Sequence, residues 1–170
     1  MELRLAGIVK ESVVDGPGFR YVIFAQGCTH GCKGCHNPDT HDLCGGYTVD
    51  IQNILEDIRN SKYIDGVTFS GGEPFLQAEP FIAIAEKLKE ANIDIVCYTG
   101  YTYEQLLESK NESRIKLLKL IDTLIDGPYI EELKDLSLTY RGSRNQRIID
   151  VKSSLKENKA VIKKLYREAS

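Results

Sequence analysis

A β-rich apolar run that closes on glycine, followed by an amphipathic helix, recurs along this chain. That alternation limits the fold more than any other feature. Residues 20–27, RYVIFAQG, read as a strand ending in glycine. Residues 51–58 place Ile51, Ile54, Leu55 and Ile58 on one helical face. Residues 64–70 give a second strand, closed by Gly71 and Gly72, and Phe81, Ile84, Ala85 and Leu88 line a second amphipathic helix. Residues 93–100 are a third strand, 102–109 and 113–121 are helical, and 122–128 are again strand then glycine. Residues 146–151 read as a further strand, whereas 159–166 suit helix or strand equally. Strands alternating with helices predict parallel βα units, with chemistry on the loops after the strand C-termini. Four or five strands are too few to close a full barrel of about 250 residues. The expectation is one α/β domain over residues 1–170, built as a split, partial barrel or an open sheet.

The first glycine-ended strand runs into QGCTHGCKGCHNPDTHD, residues 26–42, with the spacing Cys28-x3-Cys32-x2-Cys35. The chain has five cysteines, an odd number, and its N-terminus lacks the apolar run of a signal peptide, so a disulfide framework is a weak reading. Clustered thiolates are soft ligands that suit zinc or iron–sulfur. Structural zinc takes four protein ligands, usually as two separated pairs. His36, His41 or Cys44 would complete such a set, so spacing alone leaves both metals open. An iron–sulfur cluster held by three thiolates keeps one iron without a protein ligand, a position where substrate can bind. Cys97 lies in an apolar strand and reads as a core residue, and Cys44 has no assigned role.

The second strand ends in FSGGEP, residues 69–74. Two glycines let backbone approach a ligand without side-chain obstruction. Later in the chain, TYRGSRNQ, residues 139–146, is rich in donors. There the short amide of Asn145 suits a fixed cofactor contact and Arg144 a reach toward a protein partner.

The Cys-x3-Cys-x2-Cys loop after one strand and Gly-Gly-Glu after the next resemble the radical S-adenosylmethionine superfamily. The resemblance implies a partial, split (βα) barrel and one 4Fe–4S cluster per chain on Cys28, Cys32 and Cys35. It implies S-adenosylmethionine on the open iron, with Gly34, Cys35 and the His36 ring beside it and Gly71, Gly72 and Glu73 at its amino group. Thr99 and Asp126, each closing a strand before glycine, then border the ribose. DGPGFR, residues 15–20, and CKGCHNPDTHD narrow the resemblance to glycyl-radical-enzyme activases. YTGYTYEQL, residues 98–106, and residues 124–151 narrow it to the activases of anaerobic ribonucleoside-triphosphate reductase. Such an activase cleaves S-adenosylmethionine reductively to a 5′-deoxyadenosyl radical and installs a glycyl radical on the reductase. Its implied partners are the large catalytic subunit of that reductase and a low-potential electron donor such as flavodoxin.

Two other readings remain. One is an activase of another glycyl radical enzyme such as pyruvate formate-lyase, although those activases tend to carry Lys where this chain has Pro128 and lack RGSRNQRIID. The other is a non-catalytic zinc or iron–sulfur module. A net charge of -3 gives no basic field for nucleic acid. No apolar stretch approaches the roughly 20 residues that span a bilayer, so a cytoplasmic chain is expected. The charged run over residues 156–168 reads as a solvated face.

Overall fold

The computed structural model describes residues 1–165. Residues 166–168, the end of the charged run, and Tyr166, the end of the undecided 159–166 stretch, lie outside the described residues. The strands are β1 (Glu2–Ser12), β2 (Arg20–Ala25), β3 (Tyr47–Asp50), β4 (Gly66–Gly71), β5 (Asp94–Tyr98), β6 (Thr123–Asp126) and β7 (Arg147–Asp150). The helices are α1 (Ile51–Asn60), α2 (Ala78–Glu90), α3 (Tyr103–Glu108), α4 (Glu112–Leu120) and α5 (Val151–Glu157). One sheet runs in the order β3-β1-β2-β4-β5-β6-β7. Its centre, β2-β4-β5-β6, is parallel, as the alternation predicts. β1 pairs antiparallel with both β2 and β3, and β7 antiparallel with β6.

The fold is thus a mixed α/β single sheet with edges at β3 and β7, wider than four or five strands. β1 escapes a periodicity reading because its register shifts twice, between Leu5 and Gly7 and between Val9 and Ser12. Each shift moves side chains off the two-residue alternation that marks a strand. β3 is too short to leave a pattern. At the other edge, Val161 accepts from the Asp150 amide at 2.9 Å and the Lys163 amide donates to Ile148 at 2.8 Å, so this part of 159–166 takes the strand alternative.

Alternation within the strands sorts the two faces. Tyr21, Ile23, Val67, Phe69, Ile95 and Leu124 point into a core shared with all five described helices. The Phe69 and Phe81 rings, 4.7 Å apart, pin α2 to β4 there, and Phe81→Ala would cost about 3–5 kcal/mol. The opposite face carries Val96, Ile125 and Ile148 in a small second cluster, with no helix over it among the described residues. Caps fix where helices follow strands. Asp50 ends β3 and accepts from Gln52 at the start of α1, and Thr102 and Gln105 form a capping box on α3. Among the described residues no helix is long and apolar enough to cross a membrane.

Candidate functional site

A cavity of about 490 Å³ opens on the helix-free face. It is lined at the strand C-termini by Phe24, Ser70, Tyr98, Thr99 and Gly127. That is where parallel strands present their loops, and the size suits a small-molecule site.

The cysteine loop forms one wall. Gly27, at φ 98°, turns the chain off β2 in the left-handed region that favours glycine. The Gly27 amide donates to Thr40 at 2.8 Å and the Cys28 amide to His41 at 3.2 Å, so the outgoing and returning arms pair at a neck. Buried Gln26 reinforces it, its Nε2 donating to the Asp39 and Asp42 carbonyls at 3.1 and 2.8 Å. A turn closed by the Cys35 amide on the Cys32 carbonyl, at 3.2 Å, relates the second and third thiols. Cys28, Cys32 and Cys35 are half-buried, free, and all line the cavity. Burial pushes the Cys28 thiol up; the His30 backbone N–H opposes this, while the Glu73 and neighbouring cysteine charges add to it. A thiol so placed gives up its proton to a bound metal. The Asn37 amide donates to Cys35 Sγ at 3.4 Å, a bond of the kind that tunes thiolate-held metal.

Among the described residues no three His, Cys, Asp or Glu side chains gather closely enough for a single ion. The three thiols nonetheless line one cavity. His41 lines the cavity, but Cys44 is exposed and its carbonyl accepts from Arg4 at 3.1 Å.

Gly71 and Gly72 line the cavity next to the cysteine loop. The Gly72 amide donates to Ala25 and the Glu73 amide to Gly27, both at 2.8 Å. A Cβ on Gly72 would collide with the Gly27 carbonyl, and one on Gly71 with the Ala25 backbone. Neighbouring backbone therefore requires both glycines, independently of any ligand.

Glu73 does not line the cavity; its carboxylate is buried and accepts from Phe75, Thr99, Gly100 and His30. Thr99 reaches both that carboxylate and the cavity. His36 lines the cavity with its ring 4.8 Å from that of Tyr129, on the loop after β6. Gly34 sits outside, under the Glu131 side chain, which also pairs with Lys33 at 3.1 Å. Asp126 is buried away from the cavity, accepting from the Tyr103 amide at 2.7 Å and from Arg147 Nε at 3.0 Å. Asn145 donates to the Pro128 carbonyl at 2.8 Å, leaving its buried Oδ1 unsatisfied, and the adjacent Gln146 lines the cavity instead. Arg144 is exposed.

Sequence reasoning passed over His30, Asp15, Tyr98 and Tyr140, all of which line the cavity. Tyr98 was findable as the residue before Thr99 on a strand whose alternate positions face inward. Burial pushes its hydroxyl up, keeping it a neutral donor.

The family described as a 4Fe-4S single cluster domain matches residues 14–149, a span that includes every residue lining the cavity. The chain is 38% identical over 142 residues to the anaerobic ribonucleoside-triphosphate reductase-activating protein of Vibrio cholerae, covering 79% of this chain and 89% of that one. The protein of the same name from Haemophilus influenzae is 36% identical with the same coverage. This chain belongs to the family of anaerobic ribonucleoside-triphosphate reductase-activating proteins. The family reaches beyond bacteria: the activating protein of Enterobacteria phage T4 is 35% identical over 141 residues, covering 79% of this chain and 86% of that one. Among solved structures, QueE from Escherichia coli aligns with a TM-score of 0.47 and 18% identity over 60% of this chain and 54% of that one, a likeness too slight to bear on the activating-protein fold.

Proposed function

We propose that this chain activates an anaerobic ribonucleoside-triphosphate reductase by installing a glycyl radical on its large catalytic subunit. The observation that carries the reading is the meeting of three free thiols, Cys28, Cys32 and Cys35, with the Gly71–Gly72 loop in one cavity of an activating-protein chain. The donor set fits a 4Fe–4S cluster with three protein ligands. With S-adenosylmethionine bound and one electron from a low-potential donor, such a cluster would supply cleavage to methionine and a 5′-deoxyadenosyl radical, which would take a hydrogen atom from the glycine.

The chain's own residues hold, orient and shield. Cys28, Cys32 and Cys35 hold the metal. Gly71 and Gly72 offer backbone at the cavity wall, and His36, steadied by Tyr129, gives an aromatic surface for adenine. Thr99 presents a hydroxyl from the end of β5, next to the position proposed for the ribose. Helices on one face only, with the cavity on the other, support a split, partial (βα) barrel whose mouth admits a polypeptide. The reading extends to a low-potential electron donor such as flavodoxin and to work in the cytoplasm, without nucleic acid.

The test is anaerobic reconstitution with iron and sulfide, followed by assays for S-adenosylmethionine cleavage and, with the reductase, for a glycyl radical by electron paramagnetic resonance. Iron uptake, cleavage and the radical signal are expected, and air should bleach the protein and stop cleavage. Zinc on the thiols with activity that survives aeration would overturn the proposal.

A further inference from the structure

Glu73 is completely buried, and its carboxylate is occupied by this chain's own donors. Its Oε1 accepts from the Phe75 amide at 3.0 Å. Its Oε2 accepts from the Gly100 amide at 2.9 Å and lies 2.6 Å from His30 Nε2. The Thr99 hydroxyl is 2.9 Å from both oxygens. A buried carboxylate is tolerated only when satisfied in this way. These donors come from three loops: His30 from the cysteine loop, Phe75 from the loop after β4, and Thr99 and Gly100 from the loop after β5.

His30 sits between Cys28 and Cys32, and its ring is packed on several sides while 17% of the side chain stays exposed at the cavity. It lies so close to Gly100 that a Cβ there would collide with it. It meets Tyr101 edge-on at 4.5 Å, and Arg114 covers the Tyr101 ring at 4.7 Å. Among the described residues this arm has two other side-chain ties: the His36 ring against Tyr129, and the Lys33–Glu131 pair at the surface, where ion pairs stabilise little. The buried anchor of the arm carrying two of the three thiols is therefore His30 on Glu73.

We propose that the His30–Glu73 contact is a strut that sets the cysteine loop against the loops after β4 and β5, so that both are positioning residues for S-adenosylmethionine. This rests on the reading that the three thiols hold a cluster to which S-adenosylmethionine binds. The physical reason is mutual placement. The thiols ride on one loop and the Gly71–Gly72 backbone and Thr99 on two others, and a ligand that touches all three binds well only when their spacing is fixed. Glu73 accepts, so His30 donates through Nε2–H. A side-chain amide at position 30 can make the same donation, which alanine cannot.

The test compares wild type with His30→Ala, His30→Gln, Glu73→Gln and, as a control for general destabilisation, the core truncation Leu118→Ala. In the metal-free chain, amide hydrogen exchange is followed at Gly100 and across residues 28–35. In the anaerobically loaded chain, iron per chain is counted, and the reduced cluster's paramagnetic resonance spectrum is titrated with S-adenosylmethionine. His30→Ala and Glu73→Gln are expected to speed exchange in both places. They should raise the S-adenosylmethionine concentration needed to change the spectrum by roughly 10–100-fold, the usual scale for such supporting contacts. His30→Gln should recover most of that loss, and Leu118→Ala should titrate like wild type. A His30→Ala protein that exchanges and titrates like wild type would overturn the strut, as would His30→Gln no better than alanine. If wild type itself shows no spectral response to S-adenosylmethionine, the activase reading falls. The strut then stands or falls on exchange alone: faster exchange at Gly100 in His30→Ala keeps it, and unchanged exchange removes it.

Discussion

Arg20 and Glu73 are both buried charged side chains, 1% and 0% exposed, at opposite ends of the same parallel strands. Arg20 reaches from β2 across β4 to β5, whereas Glu73, on the loop after β4, meets the loops after β2 and β5. Arg20 donates to the Val67 carbonyl at 2.7 Å and to the Asp94 carboxylate at 2.8 Å, and Asp94 faces water with 39% of its side chain exposed. Its charge is thus matched by a counter-ion at the rim. Glu73 takes only backbone amides, a hydroxyl and a histidine. It also adds to the upward push on the Cys28 and Cys97 thiols. The difference separates maintenance from use. The cation end is closed by an ion pair, while the anion end holds three loops in place around an open cavity.

The sharpest break between the ends should come from Cys32→Ala. Iron content and S-adenosylmethionine cleavage should fall to background while the melting temperature stays near wild type; full iron loading would remove the residue from the ligand set. Cys97→Ala, in the core, should leave loading intact. At the closed end the outcome should invert. Arg20→Met should cost about 1–3 kcal/mol in denaturant unfolding, because it leaves the buried Val67 carbonyl and Thr68 hydroxyl without their donor while Asp94 stays in water. Iron per folded chain should not change, and a melting temperature equal to wild type would show that this end contributes no more than a surface pair.

Gly72→Val probes the joint between the anion end and the cysteine loop. Its side chain meets the Gly27 backbone, so overpacking of about 1–3 kcal/mol should come with poor iron loading. Normal loading with weak S-adenosylmethionine binding would instead make the glycine a ligand contact. Thr99→Val withdraws one donor from Glu73 and should cost about 1–3 kcal/mol, measured by thermal or denaturant unfolding. The smallest effect is expected from an exposed limb of the same end. Hydrogen bonds from Arg147 hold the Glu104 carboxyl below its usual range. Its folded pKa is depressed, so its contribution is present above the ordinary glutamate pKa of about 4.3. That contribution fades as pH falls through the lower folded value. Glu104→Gln should therefore lower stability slightly at neutral pH and flatten the acid side of the stability profile. An unchanged acid slope would mean that the pair is solvated away.

What could be read from sequence was what is local. Three cysteines within eight residues, and two glycines after a strand, carry their meaning in consecutive positions. The parallel centre was legible because β2, β4, β5 and β6 lie in short apolar runs that close on glycine within two residues of the strand end. β1 was not, because its register shifts twice and no glycine closes it. The tasks of Glu73 and Asp126 were hidden for another reason. Their partners lie far along the chain, at His30 and Gly100 for one and at Arg147 and Tyr103 for the other, and only folding brings them together. Both residues were expected beside a cofactor, and both instead spend their carboxylates on this chain's own donors. The two glycines line the cavity, and they are also approached closely by the backbone of Ala25 and Gly27.

The neck of the cysteine loop bears on how long one copy of the chain stays in service. Its two arms are joined by Gly27 to Thr40, Cys28 to His41 and the Gln26 amide, none of which involves a sulfur atom. Losing the iron therefore removes the cargo but leaves the container. After a burst of oxygen the emptied polypeptide should remain shaped to be refilled, so repair needs iron, sulfide and reductant rather than a newly synthesised chain.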